Sequence, residues 1–150
     1  WRIGWIVAPP EATNAIRKVH DFLTVGAPAP LQEAVAVALE QFPASYYAGL
    51  ATEYRRRRDL LCGALREAGF RCVPPEGAYY VLADFSDLSA DDDTTFALWL
   101  TRTIGVAPVP GSSFFRDPAM GRSLVRFAFC KTDEMLVEAA SRLKGLGARA

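Results

Sequence analysis

The chain has 150 residues, about the length of one domain, and 51% of them are hydrophobic, which is enough to form a buried core. Seventeen basic and seventeen acidic residues cancel to a formal net charge of zero, which argues against nucleic acid or an anionic membrane as the main partner. The sequence contains neither a bilayer-spanning apolar run nor a secretory signal pattern, so we expect a cytoplasmic protein with no membrane partner.

The first third of the chain predicts one strand followed by helices. The apolar run Ile3–Pro10 predicts a short buried strand that ends at its two prolines. Residues 21–30 break regular structure, and the Ala- and Val-rich segment 31–42 predicts a helix that is buried in a core or an interface. Between the strand and the break, one apolar stripe predicts a further helix: Ala12, Ile16, Val19 and Leu23.

The middle of the chain predicts a long helix and a pair of strands. Residues 45–70 form the longest helical pattern, with Ser45 as the predicted N-cap and Gly69 as the residue that ends the helix. Residues 71–85 predict two short strands around the turn Pro-Pro-Glu-Gly. Strands and helices after about residue 49 can therefore close a two-layer unit.

The last third of the chain predicts a helix, two extended segments and a final helix. Asp91–Asp93 begin the first helix, because acidic side chains suit a helix N-terminus, and Gly105 ends it. Residues 106–110 are extended, residues 124–130 alternate as a strand, and Thr132 caps the last helix. Part of the buried stripe of that helix is predicted to be Met135, Ala139 and Leu143.

Two arginines interrupt apolar strands in this prediction. Arg2 stands in the apolar stretch Trp-Arg-Ile-Gly-Trp at the beginning of the first strand, and Arg126 stands within the strand Leu-Val-Arg-Phe-Ala-Phe-Cys. A buried guanidinium is costly unless it is paired, and its planar fork suits a carboxylate or a phosphate. Residue type alone leaves two interpretations open for each arginine. It has a structural role, in an internal ion pair or on an exposed strand face, or it binds a ligand.

The other reactive residue types do not form a catalytic pattern. His20 is the single histidine, which excludes a metal site built from several histidines in this chain. Cys62, Cys72 and Cys130 have neither metal-ligand nor Cys-x-x-Cys spacing and fit a reducing compartment. The basic run Arg55–Arg58 favours a solvated helix face over a phosphate site. We therefore predict no metal site.

Four blocks in order carry a resemblance that covers residues 1 to about 146. They read Trp-Arg-Ile-Gly at the start, PPEGAYYVLADF, GVAPVPGSSFF and LVRFAFCKTDEML. The chain resembles the C-terminal portion of class I/II aminotransferases, the fold-type I enzymes that use pyridoxal 5′-phosphate. It is most similar to the kynurenine and methionine aminotransferase-like subgroup.

The resemblance implies a fold and two site residues. The fold is mixed α/β: residues 1–49 form a strand-and-helices tail of the large cofactor-binding domain, and residues 50–150 form the small C-terminal domain, a short sheet packed on helices. Arg2 matches the residue that holds the cofactor phosphate, and Arg126 matches the arginine that binds the substrate α-carboxylate.

The resemblance also implies partners. Such enzymes use amino acid and 2-oxo acid substrates and form homodimers. The loop near Val25 and Gly26 resembles a segment that reaches the neighbouring subunit's active site. The stretch Gly-Ser-Ser-Phe-Phe resembles a loop at the substrate entrance.

One departure from the family pattern is large. The Schiff-base lysine of the family should lie about seven residues before Trp1, and the lysines of this chain, Lys18, Lys131 and Lys144, match no catalytic position. We therefore expect a fragment that neither binds the cofactor nor transfers an amino group by itself. Two alternatives remain: a noncatalytic α+β ligand-binding or interaction module, and a cofactor-dependent cysteine-S-conjugate β-lyase. The amino acid substrate is not predicted.

Overall fold

A computed structural model describes residues 2–146, which form two compact units divided between Ala48 and Gly49. No helix within the described residues is long and apolar enough to cross a membrane. The α-helices are α1 Pro10–Thr24, α2 Ala29–Gln41, α3 Ala44–Glu67, α4 Asp93–Trp99 and α5 Asp133–Leu143. The strands are β1 Arg71–Cys72, β2 Tyr80–Asp84, β3 Val109–Pro110 and β4 Leu124–Ala128. Shorter turns of π- or 3₁₀-helix cover Leu100–Ile104, Gly111–Phe114 and Pro118–Gly121.

The predicted buried strand Ile3–Pro10 is wrong. Residues 2–9 are irregular, α1 already begins at Pro10, and Val7 is 91% exposed. All strands among the described residues lie between Arg71 and Ala128, so this apolar run has no strand beside it in the first unit. Pro10 carries no N–H to contribute to a sheet, and its fixed φ suits the first turn of a helix instead.

The helices predicted for the first unit are confirmed, but their burial is not. α1 and α2 contain no buried residue among those described, and the stripe of Ile16, Val19 and Leu23 is exposed. Of the predicted break over residues 21–30, only residues 25–28 lie outside helices. α1 continues to Thr24, and α2 begins at Ala29 with a proline in its first turn. An amphipathic helix of this kind gains stability chiefly by covering its apolar face.

The second unit is a four-stranded antiparallel sheet in the order β1-β2-β4-β3, packed on helices. The predicted alternation of β4 is confirmed: Val125 and Phe127 are buried, whereas Leu124, Arg126 and Ala128 on the other face are half-buried. The largest fully buried side chains come from both layers: Leu65, Phe85, Phe96, Leu100, Phe129 and Leu143. The mixed α/β prediction is therefore confirmed for this unit.

The glycines predicted the ends of helices correctly, whereas Ser45 did not predict the start of α3. Gly69 and Gly105 have positive φ values of 97° and 76°, as the predicted helix stops require. Ser45 is not an N-cap, because α3 already begins at Ala44. The Thr132 side chain does accept a hydrogen bond from the backbone N–H of Met135 at 3.4 Å, so the cap of α5 is confirmed.

The predicted buried stripe of α5 is partly wrong. Met135 is 55% exposed, and Ala139 is half-buried. Leu136 and Leu143 are the buried residues of the helix. The pattern contained apolar residues at 135, 136 and 137, and only packing against the sheet selects the one that faces the core.

Candidate functional site

Arg126 lies near the middle of β4, on the face of the sheet opposite the core. In the antiparallel register it pairs with Leu82 of β2 on one side and Val109 of β3 on the other. Tyr80 lies two residues before Leu82, so it is the diagonal neighbour of Arg126 on the same face. The strand alternation therefore places a cation and an aromatic ring together outside the core.

Two aromatic rings flank the Arg126 guanidinium. Its central carbon lies 4.8 Å from the centre of the Tyr80 ring and 4.0 Å from the centre of the Phe114 ring. Each such cation–π contact stabilises an arginine by about 0.5–2 kcal/mol, depending on how far the pair is removed from water. A guanidinium in contact with aromatic rings can still donate hydrogen bonds, because its five N–H donors lie in its own plane.

No carboxylate among residues 49–146 forms an ion pair with Arg126. The guanidinium is half-buried and held in place, yet its donors lack a charged partner in the described part of this unit. A fixed fork of this kind suits a planar anion, because a carboxylate accepts two parallel N–H bonds from it. The arrangement favours the ligand-binding reading of Arg126 over the internal ion pair.

Phe114 reaches Arg126 from the 3₁₀ turn Gly111–Phe114, which follows β3 directly. This turn passes very close to β4 and to the turn Pro118–Gly121. A Cβ atom on Gly111 would lie 2.5 Å from the carbonyl oxygen of Leu124 and 2.7 Å from that of Gly121. Glycine at position 111 therefore permits the backbone approach that brings Phe114 beside the arginine.

Gly111→Ala should destabilise the protein by about 1–3 kcal/mol, because the added methyl group meets backbone oxygen atoms that cannot move independently. Urea unfolding of the variant and the wild type measures this change. Gly63→Ala is the matched control: the same methyl group meets nothing within 4 Å in the interior of α3. It should raise stability by about 0.5–1 kcal/mol. Equal stability of Gly111→Ala and wild type contradicts the close approach.

The turn is also held from α4. The buried Asp93 side chain, the first residue of α4, accepts a hydrogen bond from the backbone N–H of Ser112 at 2.7 Å. Sequence reasoning placed Asp93 only as one of three helix-opening acids and did not identify Tyr80 or Phe114 as neighbours of Arg126. The alternation of β2 supplies a signal for Tyr80; no local pattern identifies the other two.

Arg2 lies in the other unit. Its side chain is exposed, its backbone φ of 61° is in the left-handed region, and no carboxylate of residues 2–48 forms an ion pair with it. A non-glycine residue held in that region costs of the order of 1 kcal/mol. The predicted strand around Arg2 is absent, so its earlier interpretation as a buried arginine in a strand is wrong. Trp1 lies outside the described residues.

Arg126 also lines a cavity of about 560 Å³ beside α5 and residues 105–109. Other charged residues in its wall are Lys131, Glu138 and Arg142. Glu138 and Arg142 neutralise each other, with Arg142 Nε 2.8 Å from the Glu138 carboxylate. Arg126 and Lys131 are the residues of this wall whose charges have no ion-pair partner within residues 49–146.

The contacts of Cys62 and Arg56 indicate structural roles rather than ligand binding. Burial, with the neighbouring Cys72 thiol, raises the pKa of the Cys62 thiol to about 11, so this sulfur is a poor nucleophile near neutral pH. Arg56 of the basic run lies 2.6 Å from the Asp133 carboxylate and lowers its pKa below the usual range. No group of three or more possible metal ligands occurs among residues 2–146.

Fold and site together define a mixed α/β protein in which an arginine without an ion-pair partner in its unit lies on the face of a small sheet opposite the core. The sequence model of the family "Aminotransferase class I and II" matches residues 1–143, and the chain belongs to this family. It is 42% identical to the methionine aminotransferase of Escherichia coli K12 over 97% of its own length. It is 34% identical to the kynurenine–oxoglutarate transaminase of Dictyostelium discoideum over 95%.

A solved structure shows the same fold. The N-succinyldiaminopimelate aminotransferase from Mycobacterium tuberculosis superposes with a TM-score of 0.80 at 39% identity over 97% of this chain. The chain covers only 38% of that structure, and 37% of each of the two relatives above. The family resemblance and the fold-type I prediction are thus confirmed for a chain that spans little more than a third of these proteins.

Pyridoxal 5′-phosphate is the cofactor that this family implies, and the chemistry of Arg2 fits part of it. The exposed Arg2 side chain has five N–H donors and no carboxylate partner in its unit, which suits a phosphate dianion. One arginine is not a complete phosphate site.

Proposed function

We propose that these residues are the C-terminal part of a pyridoxal 5′-phosphate-dependent aminotransferase that moves an amino group between an amino acid and a 2-oxo acid. The observation that carries the proposal is the Arg126 guanidinium, held between Tyr80 and Phe114 without a carboxylate partner in its unit. Family membership supports the same reaction class.

In this proposal Arg126 binds the substrate α-carboxylate through two N–H donors. The rings of Tyr80 and Phe114 lie against the guanidinium and favour one position for it. The substrate is thereby oriented about its Cα atom, and orientation of this kind lowers the barrier by removing rotational freedom before the reaction. The bound cofactor supplies the carbonyl group that takes up the amino group and the ring that withdraws electrons from Cα.

Arg2 holds the cofactor phosphate in the proposal. Residues 1–49 then belong to the end of the large cofactor-binding domain, and residues 50–150 form the small domain. The division into compact units between Ala48 and Gly49 is compatible with this assignment. The lysine that activates the cofactor belongs to the preceding part of the polypeptide.

The proposal includes a homodimer, and the first unit offers a surface for one. α1 and α2 have no buried residue, and Phe22 is 94% exposed. Contiguous exposed apolar surface is normally covered, either by the rest of the polypeptide or by a second subunit.

The experiment compares two polypeptides with added pyridoxal 5′-phosphate: residues 1–150 alone, and the full-length protein that contains them. We expect the full-length protein to transfer the amino group of methionine or an aromatic amino acid to a 2-oxo acid, and the 150-residue chain to be inactive. Detection of both products, the new amino acid and the new 2-oxo acid, distinguishes transfer from β-elimination. Turnover by the 150-residue chain contradicts the requirement for an upstream lysine, and absence of transfer by the full-length protein contradicts the proposed function.

A further inference from the structure

Asp93 is the one charged side chain that is buried among residues 2–146. It is 4% exposed, whereas of the two preceding aspartates Asp91 is exposed and Asp92 is half-buried. A buried carboxylate is costly unless hydrogen bonds replace its hydration. The position of Asp93 therefore requires a compensating contact.

The compensating contact lies on the turn beside Arg126. The Asp93 Oδ2 atom accepts the backbone N–H of Ser112 at 2.7 Å, across a separation of 19 residues. A hydrogen bond to an ionised acceptor is about twice as strong as a neutral one. Asp93 also stands in the first turn of α4, where the orientation of the backbone N–H groups favours a negative charge.

Ser112 lies within the turn that carries Phe114. Since Gly111–Phe114 is a single 3₁₀ turn, fixing the Ser112 N–H also fixes the backbone position from which the Phe114 ring projects two residues later. That ring lies 4.0 Å from the Arg126 guanidinium. A continuous series of contacts thus leads from the buried carboxylate to the unpaired cation.

We propose that Asp93 is a positioning residue for carboxylate binding: it holds the turn Gly111–Phe114 and thereby sets the orientation of the Arg126 fork. The inference rests on the proposed function, in which Arg126 binds the α-carboxylate. Asp93 itself touches neither substrate nor cofactor in this scheme, and its effect is transmitted through Ser112 and Phe114.

Two measurements on the full-length protein without cofactor test the inference. The first is the ¹⁵N–¹H resonance of Arg126 Nε, assigned by its disappearance in Arg126→Lys; the two rings shift this resonance upfield in the wild type. The second is the Kd for hexanoate, a simple aliphatic carboxylate. In Asp93→Ala we expect the upfield shift to shrink and the Kd for hexanoate to rise about tenfold, because the charge-assisted bond that orders the turn is lost.

Two variants separate positioning from a general effect on folding. Asp92→Ala removes the cap of α4, where the Asp92 side chain accepts the Thr95 N–H at 2.9 Å, but leaves the turn untouched. It should keep both the Arg126 resonance and the Kd. Asp93→Asn keeps an oxygen that can accept the Ser112 N–H and should restore most of the affinity. If Asp93→Ala does not fold, Asp93→Ser, whose hydroxyl is too short to reach Ser112, has the same expected result.

The outcomes distinguish the inference from the function on which it rests. If Arg126→Lys abolishes hexanoate binding while Asp93→Ala leaves the resonance and Kd unchanged, the inference is overturned and the proposed function stands. If Asp92→Ala and Asp93→Ala change both quantities equally, the role of Asp93 is general helix stability and the inference is again overturned. If wild type does not bind hexanoate at all, both the proposed function and the positioning role are overturned.

Discussion

Arg126→Ala in the full-length protein should lower kcat/KM for an amino acid by about 10²–10³-fold, with most of the loss in KM. The variant removes both N–H donors that bind the α-carboxylate and leaves Tyr80 and Phe114 without the cation between them. Truncating one partner of a desolvated, hydrogen-bonded charge pair costs about 2–5 kcal/mol, or about 30- to 4000-fold in kcat/KM, and the expected loss lies within this range. Steady-state kinetics at saturating cofactor measures it.

A second substrate makes the experiment specific for the carboxylate. The α-amide of the same amino acid lacks the charge that Arg126 binds, so the wild type should strongly prefer the acid, and the variant should show little preference. Arg126→Lys should fall between the two, because an ammonium group keeps the charge but not the planar fork. Arg102→Ala removes an exposed arginine elsewhere in the unit and should leave the preference unchanged. An unchanged preference in Arg126→Ala contradicts the proposed role of Arg126.

Strand alternation made one part of the site predictable from the sequence, namely the sheet face on which Arg126 lies. Residues 124–130 alternate so regularly that Arg126 had to lie on the face opposite Val125 and Phe127, and the structure confirms this. The two glycine stops were equally readable, because Gly69 and Gly105 occupy the left-handed region that other residues avoid. Local backbone rules of this kind act over a few residues and do not depend on tertiary contacts.

The rest of the site depends on contacts between distant segments. Three aspartates stand in a row at positions 91–93, and nothing in the sequence shows which one is buried; the direction of the first turn of α4 selects Asp93. Phe114 and Phe115 likewise differ only in the way that the turn orients them, and the ring of Phe114 is the one over Arg126. Tertiary packing therefore determines which aspartate is buried and which phenylalanine contacts Arg126.

In the first unit a local sequence pattern predicted the wrong structure. The apolar run Ile3–Pro10 satisfies the composition of a buried strand, but a strand also needs a neighbour for its backbone N–H and C=O groups. In the described residues of that unit no such neighbour exists, and the run is irregular and exposed. Composition shows that a segment can be buried as a strand, but whether it forms one depends on a neighbouring strand.

Phe85→Ala should destabilise the second unit by about 3–5 kcal/mol, a large share of the stability of a domain of this size. Phe85 is fully buried directly after β2, and its ring stacks on Phe96 of α4 at 4.0 Å between ring centres, with the planes 8° from parallel. Removal of the ring leaves a cavity between sheet and helix that α4 can close only by moving. Equilibrium urea unfolding measures the loss, with Val73→Ala, at a residue 83% exposed, as the control that should stay within about 0.5 kcal/mol of wild type.

The same substitution should also weaken carboxylate binding under conditions where the variant remains folded. Phe96 follows Asp93 by three residues in α4, so a helix that moves to fill the cavity carries the Asp93 carboxylate away from Ser112. Phe85→Leu keeps apolar volume at this position and should give an intermediate result for both stability and the Kd for hexanoate. If Phe85→Ala lost stability but kept wild-type affinity for hexanoate, the position of α4 would not control Arg126, and the series of contacts would end at the helix.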